Sequence, residues 1–230
     1  MSKILVTGSR GSIGSRLVKR LLDDDVIEID KQMGFDLLTY DLPDVDLVYH
    51  LAAQTSVESS WHDPLNDSFN FNMMVRLVQR YPNTKIIYAQ SGASLELEVS
   101  SPYGFSKKIC GDYLKQFHND WVITVFPNVF GQPKSVVDIF KDKKEVIIYG
   151  DGSSIRDYVY IDDIVDGLVK AKDWEKGEYF MGSGKGTTVL ELAEGKIVKF
   201  MPARKEQKES ILPNNTPNWS PKTNVLEYIK

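Results

Sequence analysis

The chain has 230 residues, of which 42% are hydrophobic and 26% charged, with a formal net charge of −4. This composition is typical of a globular protein and gives no sign of a nucleic-acid partner. The single cysteine, Cys110, excludes an intramolecular disulfide and a cysteine metal cluster, and it favours a reducing compartment. Because no apolar run is long enough for a membrane span and no signal peptide is evident, we expect a cytoplasmic protein without a membrane or metal partner.

A short apolar run and a glycine-rich turn open the chain. Residues 4–6 predict a buried strand, three glycines follow at G-x-x-G-x-x-G spacing, and a helical pattern begins after them. Gly8 suits a tight turn, Gly11 the close approach of a diphosphate, and Gly14 the close packing of the helix on the sheet. A helix N-terminus at this turn favours anion binding. The predicted dinucleotide contacts here are Gly8, Arg10, Gly11, Ser12, Ile13 and Gly14.

The end of the second predicted strand, residues 26–29, indicates which dinucleotide binds. Asp30 follows this strand, where a carboxylate suits the adenosine ribose hydroxyls and repels a 2′-phosphate, which predicts NAD. Arg10 and Lys31 are cations that favour the alternative, NADP, although Arg10 is also placed to pair with Asp30.

Strands and helices alternate through the first 130 residues, which predicts a Rossmann-type doubly wound parallel sheet of the α/β class. We predict a dinucleotide-binding domain over 1–131 and a small substrate-binding lobe over 132–230, with interleaved segments returning to the core. The predicted strands of the first part also include 46–53, 85–89 and 121–126, with helices at 66–79 and 103–118 and a polar loop at 54–64. The predicted lobe has strands at 146–149, 157–161, 178–181 and 196–200, and a helix at 162–172.

One pair of residues carries the chemistry. Tyr103 and Lys107 lie four apart, hence on one face of a helix. A phenol with a pKa near ~10 is a poor base at neutral pH, but a neighbouring ammonium and a positively charged nicotinamide favour the phenolate. Ser91, at the end of the preceding strand, is placed to hydrogen-bond the substrate oxygen. The alternative is an ordinary amphipathic start of a helix.

An ordered series of further motifs runs along the chain. It comprises Asp36-Leu37, His50-Leu51-Ala52-Ala53, Asp63-Pro64, Asn128-Val129-Phe130-Gly131, Tyr149-Gly150-Asp151-Gly152, Arg156-Asp157-Tyr158-Val159 and Asp162-Asp163. Together with the glycine turn and Tyr103-x-x-x-Lys107, the series resembles the NAD-dependent epimerase/dehydratase family. These are the extended short-chain dehydrogenases that act on nucleotide sugars, and the resemblance covers essentially the whole chain.

The resemblance implies roles residue by residue. The implied cofactor contacts are Asp36, Leu37, Leu51, Ala52, Ala53, Gln54, Tyr103 and Lys107, and the implied catalytic set is Ser91, Tyr103 and Lys107. The implied contacts to the substrate are Ser91 and, at its diphosphate, Asn128, Arg156 and Arg204, since an arginine fork suits a diphosphate. The alternatives are a surface ion pair of Arg156 with Asp157 and a solvated charge at Arg204. His50 is expected to be a packed residue rather than a catalyst.

Departures from the family pattern indicate which of the family's reactions the chain catalyses. Only 11 residues separate Ser91 from Tyr103, and Gly92-Ala93 stands where sugar 4,6-dehydratases carry an Asp-Glu pair. Relatives also often have an arginine at Val125. We therefore expect a shortened nucleotide-sugar 4-epimerase, with an NADP-dependent keto-sugar reductase, a dehydratase or a non-catalytic dinucleotide-binding regulator as alternatives. The helices at 66–79 and 103–118 carry apolar stripes, those of the second exceed one face, and the matching helices pair in relatives, so we predict a homodimer. The alternative is that both stripes pack on the sheet of their own chain.

Overall fold

The computed structural model describes residues 1–95, 101–203 and 211–230. The chain forms two compact units. The first comprises Met1–Val125 and Leu168–Tyr179, and the second comprises Phe126–Gly167 and Phe180–Lys230.

The helices and strands are numbered in chain order. The strands are β1 Lys3–Thr7, β2 Asp25–Ile29, β3 Leu47–His50, β4 Lys85–Ser91, β5 Trp121–Phe126, β6 Asn128–Phe130, β7 Glu145–Tyr149, β8 Ile155–Arg156, β9 Tyr158–Tyr160, β10 Gly177–Phe180, β11 Thr187–Thr188 and β12 Ile197–Met201. The α-helices are α1 Ser12–Arg20, α2 Val57–His62, α3 Leu65–Arg80, α4 Pro102–Phe117, α5 Val136–Lys141, α6 Ile161–Ala171, α7 Val189–Leu192 and α8 Val225–Tyr228. Two single-turn 3-10 helices cover Lys31–Met33 and Gly92–Ser94.

The first unit is built on a six-stranded sheet in the order β10-β5-β4-β3-β1-β2. The pairs β1–β2, β1–β3 and β3–β4 are parallel. Its central strands are almost wholly buried, because parallel strands with helices on their faces meet no solvent. The predicted α/β class and Rossmann-type sheet are confirmed.

The strand order places a topological switch point at β1. Its chain continuation, β2, lies on one side, and β3 lies on the other. In open α/β sheets, ligands bind outside the carboxyl ends of the strands at such a point. The glycine turn after β1 and the small residues after β3 both lie there.

Helix α4 begins where its sequence predicts a start. The Ser101 hydroxyl accepts a hydrogen bond from the Gly104 amide at 3.0 Å, and Pro102 occupies the first helical position. This cap fixes Tyr103 in the first turn of the helix. Helices α3 and α4 pack against each other along the first unit.

The predicted polar loop at 54–64 is wrong, because α2 forms within it. The Ser56 hydroxyl accepts from the Ser59 amide at 3.1 Å, a standard N-cap contact. Hydroxyl-rich segments compete with helices locally, so the polar composition concealed a helix of six residues.

The second unit contains three two-stranded pairs: β6–β9 and β7–β12, which are parallel, and β8–β11, which is antiparallel. One apolar core cluster of this unit comprises Phe130, Val137, Phe140, Val146, Ile148, Tyr158, Leu192, Ala193, Val225 and Ile229. Three expectations need correction. The strand predicted at 46–53 ends at His50, the strand predicted at 157–161 is interrupted at Asp157, and residues 128–130 form a strand.

Within the described part of the chain, no helix has the length and apolarity needed to cross a membrane.

Candidate active site

The backbone around the glycine turn is packed so closely that Gly8 and Gly14 leave no room for a side chain. Gly8 has a φ of +71°, and a Cβ there would lie 2.7 Å from the backbone nitrogen of Ala52. A Cβ on Gly14 would lie 2.1 Å from the Gly8 carbonyl oxygen, so α1 can approach the turn only with glycine at this position. The cap residue Gly11 has no side chain to cover the first amides of α1, at Ser12 and Ile13. These amides can therefore receive an anion.

Asp30 is positioned by backbone donors at the end of β2. One carboxylate oxygen accepts from the Arg10 amide at 3.0 Å, and the other accepts from the Gln32 amide at 2.8 Å. Asp30 is partly exposed, which leaves its carboxylate able to accept further hydrogen bonds. Its position beside the glycine turn fits the ribose of a dinucleotide.

The two cations that favour NADP are both paired with carboxylates. The Arg10 guanidinium lies 3.5 Å from Glu28, so its partner is Glu28 and not the carboxylate of Asp30. The Lys31 ammonium lies 3.3 Å from Asp36. The backbone amide of Leu38 and the Lys31 charge together lower the pKa of Asp36.

Two arginines of α3, Arg76 and Arg80, hydrogen-bond the segment that follows Asp36 and Leu37. Arg76 donates to the carbonyl oxygens of Leu38 and Tyr40. Arg80 donates to the carbonyl oxygen of Leu42 at 2.9 Å and to Asp44 at 2.6 Å. Leu37 is buried. Sequence reasoning missed both arginines, although their spacing of four on one helix face was a usable signal.

The end of β3 is tied to β1 by buried polar groups. His50 Nδ1 lies 2.9 Å from Thr7 Oγ1, which also accepts from the Ala52 amide at 3.2 Å. Burial lowers the pKa of His50 to about 3, so the imidazole is neutral at physiological pH. His50 is thus a packed residue, as expected, and its partner Thr7 accepts from the backbone amides of Leu51 and Ala52.

Residues 52–54 leave the sheet edge and are anchored by Asn70. The Gln54 amide donates to Asn70 Oδ1 at 2.8 Å, and Asn70 Nδ2 donates to the Gln54 carbonyl oxygen at 3.2 Å. Ala53 lies between these anchored positions and is partly exposed. Asn70, a buried amide on the apolar face of α3, is a second residue that sequence reasoning missed.

Tyr103 lies in the first turn of α4 and is only 8% exposed. Burial raises the pKa of Tyr103 to about 12, the Ser91 hydroxyl lowers it, and the Asp67 carboxylate raises it. The structure therefore brings Ser91 and Tyr103 together. In this state the phenol is protonated at neutral pH.

Lys107 lies one turn along α4 from Tyr103, with its ammonium 4.4 Å from the centre of the Tyr88 ring. Burial lowers the pKa of Lys107 to about 8, because the charged form loses its hydration. The Tyr88 ring compensates in part through a cation–π contact. Lys107 therefore loses its proton more readily than an exposed lysine, one helical turn from Tyr103.

The substrate residues predicted after β5 lie in the second unit. Asn128 donates from its side chain to the Asp157 carbonyl oxygen at 3.1 Å. Arg156 is partly exposed, and the neighbouring Asp157 carboxylate is fully buried, where it accepts from Ser183, Gly184 and Leu212. The predicted alternative of an exposed ion pair between Arg156 and Asp157 is therefore wrong. Arg204 lies outside the described residues.

Two further features bear on the location of the site. Among the described residues, no three His, Cys, Asp or Glu side chains are grouped to hold a metal ion. A surface cavity of about 610 Å³ in the second unit, lined by Lys141, Gly195 and Leu226 among others, contains none of the predicted site residues.

Comparison with known proteins decides the family. The sequence profile of the NAD dependent epimerase/dehydratase family matches residues 4–181. The chain belongs to this family. The resemblance drawn from its motifs is thus confirmed, and with it the assignment to enzymes that use NAD.

One relative and two solved structures illustrate the similarity. The UDP-glucose 4-epimerase of Mycolicibacterium smegmatis is 31% identical, over 83% of this chain and 80% of its own. The structure of the Thermotoga maritima UDP-glucose 4-epimerase with UDP-glucose superposes with a TM-score of 0.84 at 27% identity, covering 99% of this chain and 96% of that chain. The Thermus thermophilus UDP-glucose 4-epimerase in complex with NAD gives 0.78 at 26% identity, with the same two coverages.

Proposed function

We propose that the chain is an NAD-dependent nucleotide-sugar 4-epimerase. The observation that carries this proposal is the set of Ser91, Tyr103 and Lys107 at the carboxyl end of β4 and in the first turns of α4. The 4-epimerase names of the relatives support the same reaction. NAD, when bound, would supply the hydride acceptor and donor. The glycine turn, which has no side chains at Gly8 and Gly14, and the Asp30 carboxylate beside it fit a dinucleotide.

The residues of the chain then act on the C4 hydroxyl of the sugar. Ser91 hydrogen-bonds the oxygen, and Tyr103 takes its proton as the C4–H bond breaks, which leaves a 4-keto sugar. The positive charge of Lys107, and that of the oxidised nicotinamide, lower the pKa of the phenol in the loaded enzyme. Once the sugar has turned, Tyr103 returns the proton and C4 is re-reduced on its other face.

The cofactor proposed is NAD rather than NADP. The Asp30 carboxylate beside the ribose repels a 2′-phosphate, and both nearby cations are engaged by Glu28 and Asp36. Dissociation constants for NAD and NADP on the cofactor-free protein test the choice. Tighter binding of NADP would overturn it and would favour a keto-sugar reductase.

The proposal assigns different roles to the two units. The first binds the dinucleotide and holds the catalytic set, and the second receives the nucleotide-diphosphate sugar. Asn128 and the partly exposed Arg156 are the proposed diphosphate contacts, together with Arg204. A planar guanidinium is suited to this role because it donates to two phosphate oxygens at once.

We also propose that the enzyme works in the cytoplasm as a homodimer. The single, buried thiol of Cys110 fits a reducing compartment. Large apolar side chains on α3 and α4 are left in solvent: Leu65 is 77% exposed, Phe105 56% and Phe117 63%. Burial of such a surface stabilises association.

The experiment is incubation of the purified protein and NAD with a panel of UDP-sugars, with the configuration at C4 determined by NMR. The expected result is an equilibrium mixture of C4 epimers without net change in NADH. Accumulation of a stable 4-keto sugar would indicate a dehydratase, and net consumption of reduced cofactor a reductase. Binding of dinucleotide without turnover of any sugar nucleotide would leave a regulator.

A further inference from the structure

Asp67, in the first turn of α3, is a carboxyl group in an unusual position. It is 3% exposed, and neither carboxyl oxygen has a hydrogen-bond partner among the described residues. An unpaired charge in a protein interior is expensive, and such groups are therefore rare. Burial and the neighbouring charge of Asp63 raise the pKa of Asp67.

The contacts between α3 and α4 place this carboxyl level with Tyr103. Asn70 Nδ2 donates to Ser106 Oγ at 2.9 Å, and Ser106 Oγ donates to the Tyr103 carbonyl oxygen at 2.8 Å. Asp67 precedes Asn70 by one turn, as Tyr103 precedes Ser106 by one turn. Because α3 and α4 follow successive parallel strands, they run in the same direction, and the two earlier turns also lie side by side.

Among the described residues around Tyr103, Asp67 is the carboxylate neighbour. From β4, the Ser91 hydroxyl favours the phenolate, and Tyr88 contributes a neutral ring. On α4 itself, the Lys107 ammonium faces the Tyr88 ring and Cys110 is a buried thiol. Helix α2 carries Glu58 and His62, both exposed, and the turn Gly92–Ser94 has no titratable side chain.

We propose that Asp67 is a positioning residue that acts through Tyr103, keeping the phenol protonated until a positive charge is bound beside it. The proposal rests on the proposed function. Its consequence is that the phenol releases its proton when the nicotinamide is oxidised and positive. It retains the proton taken from the sugar when the nicotinamide is reduced and neutral. Asp67 thereby favours the protonated phenol in both states, and the nicotinamide charge opposes it only when the cofactor is oxidised.

The test follows the ionisation of Tyr103 directly, without substrate. Carbon NMR of ring-labelled tyrosine, with the Tyr103 signal assigned by Tyr103→Phe, gives its titration in the full chain loaded with NAD. In Asp67→Asn the midpoint should move to lower pH by about one unit, since a nearby like charge changes a pKa by this order. Asp63→Asn, which removes an exposed carboxylate one turn earlier, should leave the midpoint within about a quarter of a unit because solvent screens it.

Thermal unfolding and a second variant separate this role from a structural one. Asp67→Asn should unfold at the same or a higher temperature than the wild type, because it removes an unpaired buried charge. Asp67→Ala should shift the Tyr103 midpoint in the same direction. An unchanged or raised midpoint in both variants would refute this role of Asp67. Shifted midpoints in a protein that epimerises no sugar nucleotide would retain it and refute the proposed function instead.

Discussion

At the scale of single residues, removal of the Tyr103 phenol oxygen should abolish proton transfer without preventing cofactor binding. Tyr103→Phe removes the proton acceptor but keeps the buried ring in the first turn of α4. Turnover should fall by about two to four powers of ten, the usual contribution of a general base. The dissociation constant for NAD should change less than about threefold, because most cofactor contacts proposed here lie elsewhere.

The matched control is Tyr179→Phe, which removes a phenol that donates to the Glu175 carbonyl oxygen at 3.0 Å on the surface of the first unit. Steady-state kinetics and calorimetric titration with NAD measure both quantities. Retention of wild-type turnover in Tyr103→Phe would contradict the role of this residue.

His50 makes the stability of the first unit dependent on pH. Its pKa is about 3 in the folded chain, where it is buried and neutral, and 6.5 is its ordinary value. Between these values the unfolded chain binds a proton that the folded chain does not, so the free energy of unfolding falls as the pH falls from 6.5 to about 3. The contribution should be of the order of a few kcal/mol.

The variant His50→Asn isolates this contribution, because asparagine does not titrate. Denaturant unfolding at a series of pH values should give a shallower acid loss of stability for His50→Asn than for the wild type. Parallel curves for the two proteins would show that His50 takes no part in the acid response.

At the scale of elements, helix α3 holds the segment that carries the proposed adenine contacts. Arg76 holds the backbone at Leu38 and Tyr40, directly after the predicted contacts Asp36 and Leu37. Arg76→Met keeps much of the length of the side chain and removes its donors. The dissociation constant for NAD should rise by about three- to tenfold, equivalent to a loss of roughly 1 kcal/mol for a displaced loop.

Arg20→Met is the control, since Arg20 is an exposed arginine in the last turn of α1. Calorimetry on cofactor-free protein gives the constants. The maximal rate of Arg76→Met at saturating NAD should equal that of the wild type, because Arg76 lies nine residues along α3 from Asp67 and its donors contact Leu38 and Tyr40. A change in the rate with no change in NAD affinity would contradict this assignment.

The sequence predicted the long elements well, and physical reasons explain where it did not. Helices α3 and α4 begin and end within one residue of their expected bounds, because their apolar periodicity and caps are strong local signals. Helix α2 was missed because four of its six residues are polar and its cap is a single serine. The interruption at Asp157 depends on hydrogen bonds from residues 183, 184 and 212, which lie far away in the chain.

In the candidate site, too, motifs made of neighbouring residues could be predicted from the sequence, whereas contacts between distant parts of the chain could not. The glycine turn, Asp30 and Tyr103-x-x-x-Lys107 were recognisable because each motif is contained in a few neighbouring residues. Asn70, Arg76 and Asp67 lie at the α3–α4 or α3–loop contacts. The spacing of Arg76 and Arg80 was a local signal, but the groups that these three residues face could be assigned only from a structure. The environment of Lys107 over the Tyr88 ring likewise required the packing of α4 on β4.

At the scale of the whole molecule, the exposed apolar side chains of the first unit predict assembly. Inward-facing Cys110 and Leu114 already bury one side of α4, at 1% and 0% exposure. Phe105 and Phe117 are the exposed ends of a row at i, i+4 spacing that includes Tyr113, and the ring centres of Tyr113 and Phe117 are 4.7 Å apart. A helix that is apolar on more than the core-facing side has a second surface to cover.

We expect a dimer in light scattering at micromolar concentration, formed through this surface. Phe105→Asp and Phe117→Asp together should give a monomer, because each places a charge in an apolar contact. Phe200→Asp is the control: Phe200 is 54% exposed, as apolar and as open to solvent as Phe105, but it lies on β12 in the second unit. This variant should remain a dimer. If the wild type is a monomer, or if Phe200→Asp dissociates the dimer while the double variant does not, the helical surface of the first unit is not the interface.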